Sequence, residues 1–283
     1  MDTSGATTAL DRDALERALD VHHSQRRKLD PDALRSVASE VLAQLSRRLR
    51  AESLPPGSPD LVLLDRFCDA LVGDDDLAGT HMISEAQADG ASMDALYLGY
   101  LGEAARRLGE RWEADEISFW QMTVAAGRVY VIMRGLRLHF APQPFDVRRH
   151  ALFSTMPGDQ HTLGVSIAAD LFRARGWDIQ LLFPDTQEEL VRGLERSDHV
   201  IIGVSVSRPG QLVALAKLVI ALRVARPYGH IIVSGHIVSE EPDVMDLVDA
   251  DGFAASAPAA IDKLERLITE QRRPAPATLT ESP

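Results

Sequence analysis

An aspartate and a histidine stand two positions apart in a polar loop of the second half of the chain. Asp159 and His161 are the residue types of a pair in which a carboxylate accepts one ring N–H of a metal-binding histidine. The carboxylate orients the ring and makes its other nitrogen a stronger ligand. Gly164 follows the histidine and, having no Cβ, leaves room for a ligand beside the next helix. The spacing is that of a metal-binding histidine supported by a carboxylate, and the alternative for His161 taken alone is an ordinary surface-loop histidine.

Two further polar loops follow apolar runs later in the chain. One contains Ser205 and Ser207, and the other is Ser234-Gly235-His236. In an open parallel sheet such loops meet beyond the carboxyl ends of the strands, where ligands bind. The loop around His161 contains neither a GxGxxG fingerprint nor a Walker lysine, which disfavours nicotinamide and nucleoside triphosphate ligands.

The elements that must position these loops alternate between short β-branched runs and helical stretches. This alternation is typical of βαβ units, and the strongly apolar runs predict strands buried on both faces. The predicted strands cover 151–155, 178–183, 199–205, 230–234 and 252–254, and the predicted helices cover 162–175, 187–196, 209–225, 240–248 and 257–271. Right-handed crossovers then give a Rossmann-like, doubly wound parallel sheet.

The first half of the chain has the helical period instead. Two helices are predicted over 10–28 and 31–51, the second with Asp30 as N-cap and Pro31 in its first turn. Four more are predicted over 60–72, 77–89, 92–114 and 117–140, and their short connections indicate an antiparallel four-helix bundle. The fold class is therefore α + α/β. The predicted domains are an N-terminal helical extension (1–55), the helical bundle (56–145), the Rossmann-like domain (146–272) and a disordered tail (273–283).

Composition narrows the classes of function. The 283 residues carry a formal net charge of −12, which disfavours direct binding of DNA through charge. The single cysteine, Cys68, excludes an intramolecular disulfide and any zinc or iron–sulfur site that needs several thiolates. The polar start and the short apolar runs predict neither a secretory signal nor a membrane span. We therefore expect a cytoplasmic protein.

The three loops together resemble the cobalamin-binding signature Asp-x-His-x-x-Gly, Ser-x-Leu, Gly-Gly. This chain matches it with Asp159-x-His161-x-x-Gly164, Ser205-x-Ser207 and Ser234-Gly235. It departs from the signature at Ser207, where leucine is usual, and at Ser234, where glycine is usual.

The resemblance implies a cobalamin-binding fold that holds hydroxocobalamin or adenosylcobalamin. In that family the histidine, here His161, replaces the cofactor's own dimethylbenzimidazole as the lower axial ligand of cobalt. The displaced nucleotide tail enters a cleft beside the glycine, here Gly164, and the serine at Ser205 contacts the base. The cofactor-binding residues implied for this part of the chain are Asp159, Gln160, Thr162, Leu163, Gly164, Ser205, Ser207, Ser234, Gly235 and His236.

The bundle resembles the helical caps of methionine synthase, of corrinoid methyltransferase proteins and of light-sensing cobalamin regulators. The stretch 108–118 carries this resemblance and implies that Trp112 lies over the upper face of the corrin, with Trp120 and Met122 nearby. At the positions of Met122 and Thr123 the light-dependent MerR-type regulators have a Glu-His pair, so their adenosyl pocket is not reproduced. The upper cobalt ligand stays open among Met122, His81 and His139. The alternative for Trp120, Met122 and Tyr130 is the core of the bundle.

The chain as a whole resembles the AerR/PpaA antirepressors of photosynthesis genes, most closely over 111–130 and 153–164. The resemblance implies a light- and cobalamin-dependent regulator that binds no DNA itself and relieves a partner repressor of the CrtJ/PpsR type. A catalytic mutase would need a substrate barrel of about 250 residues, for which the chain has no room. Two alternatives remain, a corrinoid shuttle protein of a methyltransferase system and a haem-binding sensor. The sequence leaves the oligomeric state open.

Overall fold

A computed structural model describes residues 54–141, 146, 148–208, 210–240 and 247–271. The chain divides into two units, Met1–Leu54 and Pro55–Pro283, and the description below concerns the second. The helices predicted over 10–28 and 31–51, most of the linker 141–145 and the tail 273–283 lie outside the described residues.

The bundle is built from helices whose starts are fixed by side-chain caps. The Asp60 carboxylate accepts a hydrogen bond from the backbone of Leu63 at 2.8 Å, and Ser118 and Gln121 form a capping box. The helices are α1 (Leu61–Val72), α2 (Ala78–Ala88), a π-helical segment (Ala95–Gly102) that continues directly into α3 (Glu103–Glu113), and α4 (Phe119–Arg137).

The π-helical segment is a departure from the single α-helix predicted over 92–114. Six of its eight residues are buried, a wider arc than one face of an α-helix covers. Gly99 lies against the Ser58 side chain, which a Cβ at this position would overlap. The wider turn therefore lets one segment pack against the loop before α1 and against the sheet domain.

The sheet has five parallel strands in the order β2-β1-β3-β4-β5. The strands are β1 (His150–Thr155), β2 (Asp178–Leu182), β3 (Ile201–Ser205), β4 (His230–Ser234) and β5 (Gly252–Ala254). The helices are α5 (Leu163–Arg173), α6 (Gln187–Glu195), α7 (Leu212–Ala225), α8 (Ile237–Glu240) and α9 (Ala257–Gln271). The strand order reverses between β1 and β3, so the switch point lies beside the loop that carries His161.

The two faces of the sheet belong to different cores. Alternate residues such as Leu152 and Val204 pack with α6 and α7 in one buried cluster. The residues between them, among them Phe153 and Ile232, pack with α5 and α9 in a second cluster. That second cluster continues into the bundle, so α5 is covered by the sheet on one side and by bundle helices on the other.

The architecture confirms the predicted fold class, and the differences lie at element boundaries. The strand predicted over 199–205 begins at Ile201, and the helix predicted over 209–225 begins at Leu212. The short helix α8 ends at Glu240, and most of the helix predicted over 240–248 lies outside the described residues. Within the described ranges, the structure contains no helix with the length and apolar character needed to cross a membrane.

A buried carboxylate joins the bundle to the sheet domain. Asp170 on α5 is fully buried and accepts hydrogen bonds from Arg137 Nε at 2.8 and 2.9 Å. The Tyr97 hydroxyl donates to Asp170 at 3.1 Å, and Arg173 Nη1 donates to it at 2.9 Å. Burial, followed by the nearby Asp170 charge, raises the pKa of Tyr97 well above its usual range. Tyr97 therefore remains a neutral donor.

We expect Asp170→Ala to lower the free energy of unfolding by about 2–3 kcal/mol, because it leaves the buried Tyr97 hydroxyl and Arg137 without their shared acceptor. Urea unfolding followed by circular dichroism measures the change. The matched control is Asp76→Ala, which removes an 87% exposed carboxylate paired with Arg128. This control should cost less than about 1 kcal/mol. Equal losses in both variants would contradict a structural role for the buried cluster.

Candidate functional site

The turn after β1 holds the predicted histidine in one orientation. Asp159 Oδ1 accepts hydrogen bonds from the ring Nδ1 of His161 at 2.6 Å and from its backbone N–H at 3.1 Å. The Asp159 side chain is fully buried, whereas the His161 side chain is 61% exposed. The carboxylate therefore engages one ring nitrogen from below and leaves Nε2 for a ligand above.

The electrostatics of the pair keep Asp159 ionised. Burial alone would raise the pKa of Asp159, but the hydrogen bonds from the ring and backbone of His161 outweigh it. The pKa of the Asp159 carboxyl therefore lies below its ordinary value. The charge of Arg208, whose Nη2 lies 3.5 Å from Asp159 Oδ1, lowers this pKa by a smaller amount. With Nδ1–H donated to an ionised carboxylate, the lone pair of the ring sits on Nε2, the atom that a metal would bind.

A carboxyl whose pKa is lowered on folding stabilises the fold above its unfolded pKa, about 4, and loses that effect as the pH falls through its folded pKa. We therefore expect the free energy of unfolding of the wild-type chain to fall more steeply below about pH 4 than that of Asp159→Asn. Urea titrations at a series of pH values measure both slopes. Parallel curves would show that Asp159 is not held ionised by His161.

The described residues do not assemble a site for a free metal ion. Across these ranges, no three His, Cys, Asp or Glu side chains come close enough to hold one. A single imidazole supported by a carboxylate suits instead a metal whose other positions are already occupied by a macrocycle.

Beside the histidine a cavity of about 190 Å³ opens between the sheet, α5 and α9. Its lining includes the predicted residues Gly164, Ser205, Ser234 and Gly235. A Cβ built at Gly164 meets nothing within 4 Å, so this position leaves the α5 side of the cavity open. The cavity therefore gives a long, narrow group a path from the His161 loop toward the sheet.

The backbone at position 235 adopts a conformation that requires glycine. Its φ is +101°, and a Cβ there would lie 2.5 Å from the carbonyl oxygen of Val206. The first position of the Gly-Gly motif tolerates a side chain in this chain, because Ser234 is still part of β4 and lines the cavity. The substitution of the usual glycine thus leaves the cleft in place.

Strand register adds a residue that the sequence did not indicate. Thr155 on β1 lies beside Ser205 on β3, which in turn lies beside Ser234 on β4. Neighbours in register project to the same face, here the face of the cavity. Thr155 is fully buried, and its Oγ1 has no hydrogen-bond partner within the part of the chain that the structure describes. Its place in the row depends on register, which the sequence does not reveal.

Above the histidine, α4 extends beyond the start of α5. The Tyr130 hydroxyl lies 2.7 Å from Thr162 Oγ1, and Arg137, two turns later, binds Asp170. The two contacts advance in the same direction along both helices, so α4 and α5 run side by side. From Tyr130 back to Phe119 the rise of a helix amounts to about 16 Å. The first half of α4 therefore overhangs the loop that carries His161.

The overhang presents aromatic side chains to solvent. Phe119 is 75% and Trp120 is 73% exposed, and Trp112 at the end of α3 is 46% exposed. Placing Trp120 in the bundle core is therefore wrong, and Tyr130 is also partly exposed. Met122 is half-buried and packs against the core. Large aromatic side chains left in solvent mark a face that binds another molecule.

Comparison with known proteins supports a specific ligand. Residues 149–269 match the sequence model of a family described as the B12 binding domain. The matched stretch lies wholly within the second half of the chain. It contains β1 to β5, the His161 loop and the whole lining of the cavity.

Two relatives extend the comparison beyond the B12 binding domain. The 20.5 kDa protein of the bchF-crtJ intergenic region of Rhodobacter capsulatus is 29% identical over 175 residues, covering 60% of this chain and 90% of that protein. The monomethylamine corrinoid protein of Methanosarcina barkeri has the same fold, with a TM-score of 0.57, 21% identity and coverage of 74% of this chain and 100% of that one.

The structure divides the predicted site residues into three groups. Those brought together at the histidine and the cavity are Asp159, His161, Gly164, Ser205, Ser234 and Gly235. Those in the same loops but outside the cavity lining are Gln160, Thr162, Leu163, Ser207 and His236. Those on the bundle are Trp112, Trp120 and Met122.

The two histidines considered as upper ligands, His81 and His139, are not on the overhanging first half of α4. His139 follows Arg137 and so lies beyond the opposite end of α4 from the overhang, which removes it as a candidate. His81 is exposed on α2.

Residues that follow the last strand also line the cavity. Ala255 and Ser256 lie in the loop between β5 and α9 and line the cavity together with Ala257 and Ala260. No polar motif marks this loop in the sequence. The run of small residues, Ala254-Ala-Ser-Ala257, was the available indication that a ligand approaches the backbone there.

Proposed function

We propose that the B12 binding domain holds a cobalamin whose own base is displaced, with Nε2 of His161 as the lower axial ligand of cobalt. One observation carries the proposal: an exposed imidazole, bound at 2.6 Å to a buried carboxylate, stands beside a glycine-lined cavity. The cavity then receives the nucleotide tail between Gly164 and the strand ends at Ser205 and Ser234.

The residues present suit this cofactor chemically. The orphaned hydroxyl of Thr155 offers a hydrogen bond to a polar group in the cavity. On the opposite side the overhang of α4, with Phe119 and Trp120, provides an apolar surface that a flat macrocycle would cover. Bound as an alkylcobalamin, the cofactor supplies a light-sensitive cobalt–carbon bond.

We propose further that the chain is a regulator and not a catalyst, acting through contact with a repressor of the CrtJ/PpsR type. The resemblance to AerR/PpaA proteins supports this, as does the relative encoded in a bchF-crtJ intergenic region. The net charge of −12 favours a protein partner over DNA. A change in the bound cofactor can act on a partner protein only if the partner binds the two resulting conformations with different affinity.

Two contacts would transmit that difference. Tyr130 meets Thr162 next to the metal-binding histidine, and Arg137 meets Asp170 two turns along. A group above cobalt that displaces the first half of α4 strains both contacts, which connect α4 to the helix beside the cavity. We therefore assign the partner surface to the bundle or to the helices predicted over 10–51.

The test is the affinity of a purified CrtJ/PpsR-type repressor for the full chain under defined cofactor states. The chain is loaded with adenosylcobalamin in the dark, with the same cofactor after illumination, or with hydroxocobalamin. We expect the illuminated and hydroxocobalamin forms to bind the repressor with the same affinity, at least about 5-fold different from the dark form. Equal affinity in all three states would contradict the regulatory role.

A shuttle role in methyl transfer also fits the cofactor site, and the fold shared with the monomethylamine corrinoid protein favours it as the second candidate. A shuttle must accept a methyl group on cobalt from a donor protein and pass it to an acceptor. Incubation with methylcobalamin and a thiol acceptor such as coenzyme M, with a corrinoid methyltransferase present, distinguishes the two. Turnover supports the shuttle, and a stable methylated form supports the regulator.

The haem-binding alternative is separated from both by absorption spectroscopy. We expect hydroxocobalamin to co-purify with the chain after mixing and to show corrinoid bands. A Soret band after addition of haem, with no retention of hydroxocobalamin, would replace cobalamin with haem in this proposal.

A further inference from the structure

The cavity beside α5 has two chemically different zones. Its inner lining is apolar and contains Phe153, Val165, Phe172, Ile232, Ala260 and Leu264. The hydroxyl groups of the lining, Ser205, Ser234 and Ser256, all stand at the carboxyl ends of strands. The Ser256 hydroxyl already accepts a hydrogen bond from Ala259 at the start of α9.

The strand register fixes the order of the two zones. Thr155, Ser205, Ser234 and Ala254 form one row across four neighbouring strands. The row two residues earlier consists of Phe153, Gly203, Ile232 and Gly252. Two residues of strand separate the rows by about 6.6 Å. A group entering from the His161 loop therefore passes hydroxyls first and reaches an apolar zone beyond them.

The apolar zone is lined in part by aromatic rings. Gly203 lies under the side chain of Phe153, since a Cβ at Gly203 would come within 2.8 Å of the Phe153 ring. Phe153 and Phe172 are in edge-to-face contact with their ring centroids 5.0 Å apart. The Phe153 ring fills the space above Gly203, and the rings of Phe153 and Phe172 line the zone together with aliphatic side chains. Such a lining suits an apolar aromatic group more than a polar one.

We propose that this cavity selects corrinoids whose lower base is an apolar benzimidazole and discriminates against those with a purine base. The inference rests on the proposed function, because it concerns the tail of the same cofactor. One ring nitrogen of either base can reach the hydroxyl row. A purine also carries an amino group and further ring nitrogens into the apolar zone, whose described lining side chains offer them no partner.

An unpaired polar group in an apolar site weakens binding, and the methyl groups of dimethylbenzimidazole gain contacts there instead. A hydrophobic pocket rejects a comparable ligand with an added polar group by roughly 100-fold. Adenine is a weaker cobalt ligand than benzimidazole and is displaced more readily. Displacement of the lower base from cobalt therefore favours binding of the corrinoid with the purine base. A preference for cobalamin must then come from the cavity.

The experiment compares three corrinoids on the full chain by equilibrium titration of the visible spectrum. They are hydroxocobalamin, its pseudocobalamin analogue with adenine as lower base, and cobinamide, which has no nucleotide tail. We expect hydroxocobalamin to bind about 10- to 100-fold more tightly than pseudocobalamin. Cobinamide should also bind more weakly than hydroxocobalamin.

Equal affinity for hydroxocobalamin and pseudocobalamin overturns the selectivity while leaving the proposed function intact. Equal affinity for cobinamide and hydroxocobalamin shows that the tail does not use the cavity, which also overturns it. A chain that takes up none of the three overturns the proposed function itself.

A matched pair of variants tests the apolar zone directly. Ile232→Thr and Ile232→Val remove similar volume from the cavity lining and differ in one hydroxyl. Because the hydroxyl offers the purine a partner, we expect the preference for hydroxocobalamin to be roughly 2- to 10-fold smaller in Ile232→Thr than in Ile232→Val. Within each variant, a loss of stability weakens the binding of hydroxocobalamin and pseudocobalamin equally, so it does not change the ratio of their affinities. The same ratio in both variants would contradict the assignment.

Discussion

The variant His161→Ala is expected to bind hydroxocobalamin at least about 100-fold more weakly than the wild-type chain. Removing the groups that merely orient a metal ligand costs 10- to 100-fold in affinity, so removing the ligand itself costs more. The fold should be preserved, because the side chain is 61% exposed and, among the described residues, its ring is hydrogen-bonded to Asp159. Without the imidazole, no protein ligand replaces the cofactor's own base on cobalt, so the nucleotide tail stays folded against the metal and does not enter the cavity.

The affinity is measured by equilibrium dialysis, with circular dichroism to check the fold. The matched control is His199→Ala, which removes an imidazole in tilted contact with His150 at the amino ends of β1 and β3, with ring centroids 5.1 Å apart. Burial, and then the neighbouring His150, lowers the pKa of His199, as expected for a neutral structural ring. The control should bind as the wild type does. Unchanged affinity in His161→Ala would remove His161 from the site.

The variant Gly164→Leu is expected to change stability and binding in opposite directions. Gly164 is the second residue of α5, and a Cβ there meets nothing within 4 Å, so the fold accommodates a side chain. Replacing a helical glycine should raise the free energy of unfolding by about 0.5–1 kcal/mol. Because Gly164 lines the cavity, the leucine occupies the path of the tail, and we expect affinity for hydroxocobalamin to fall at least about 10-fold.

Urea unfolding and equilibrium dialysis measure the two effects on the same preparation. The control is Gly135→Leu, an exposed helical glycine of α4 that also has open space around a built Cβ. It should gain similar stability and leave affinity unchanged. A Gly164→Leu chain that binds like this control would show that the tail does not pass beside α5.

The sequence predicted the parts of the site that depend on local chemistry. Asp159 and His161 are two residues apart, so their pairing needed no knowledge of the fold. The positions of Ser205 and Ser234 at strand ends followed from the alternation of apolar runs with helices. Parallel strands then bring their carboxyl ends to one edge, whatever the details of packing.

The remaining features depend on tertiary structure. Thr155 belongs to the hydroxyl row because of strand register, and Gly203 is needed because the ring of Phe153 lies across it. The helical period placed Trp120 and Met122 among apolar positions of the bundle, but it does not show which positions a neighbouring element covers. The overhang of α4 beyond α5 leaves Trp120 exposed, and only the assembled fold reveals it.

The central claim is that an imidazole nitrogen of this chain, and not the cofactor's own base, binds cobalt from below. Electron paramagnetic resonance of the reduced cobalt in the loaded wild-type chain tests it most directly, with histidine labelled by ¹⁵N and the cofactor unlabelled. We predict that the nitrogen splitting, a triplet in the unlabelled protein, becomes a doublet on labelling. A triplet that persists would show the benzimidazole still on the metal and would contradict the account.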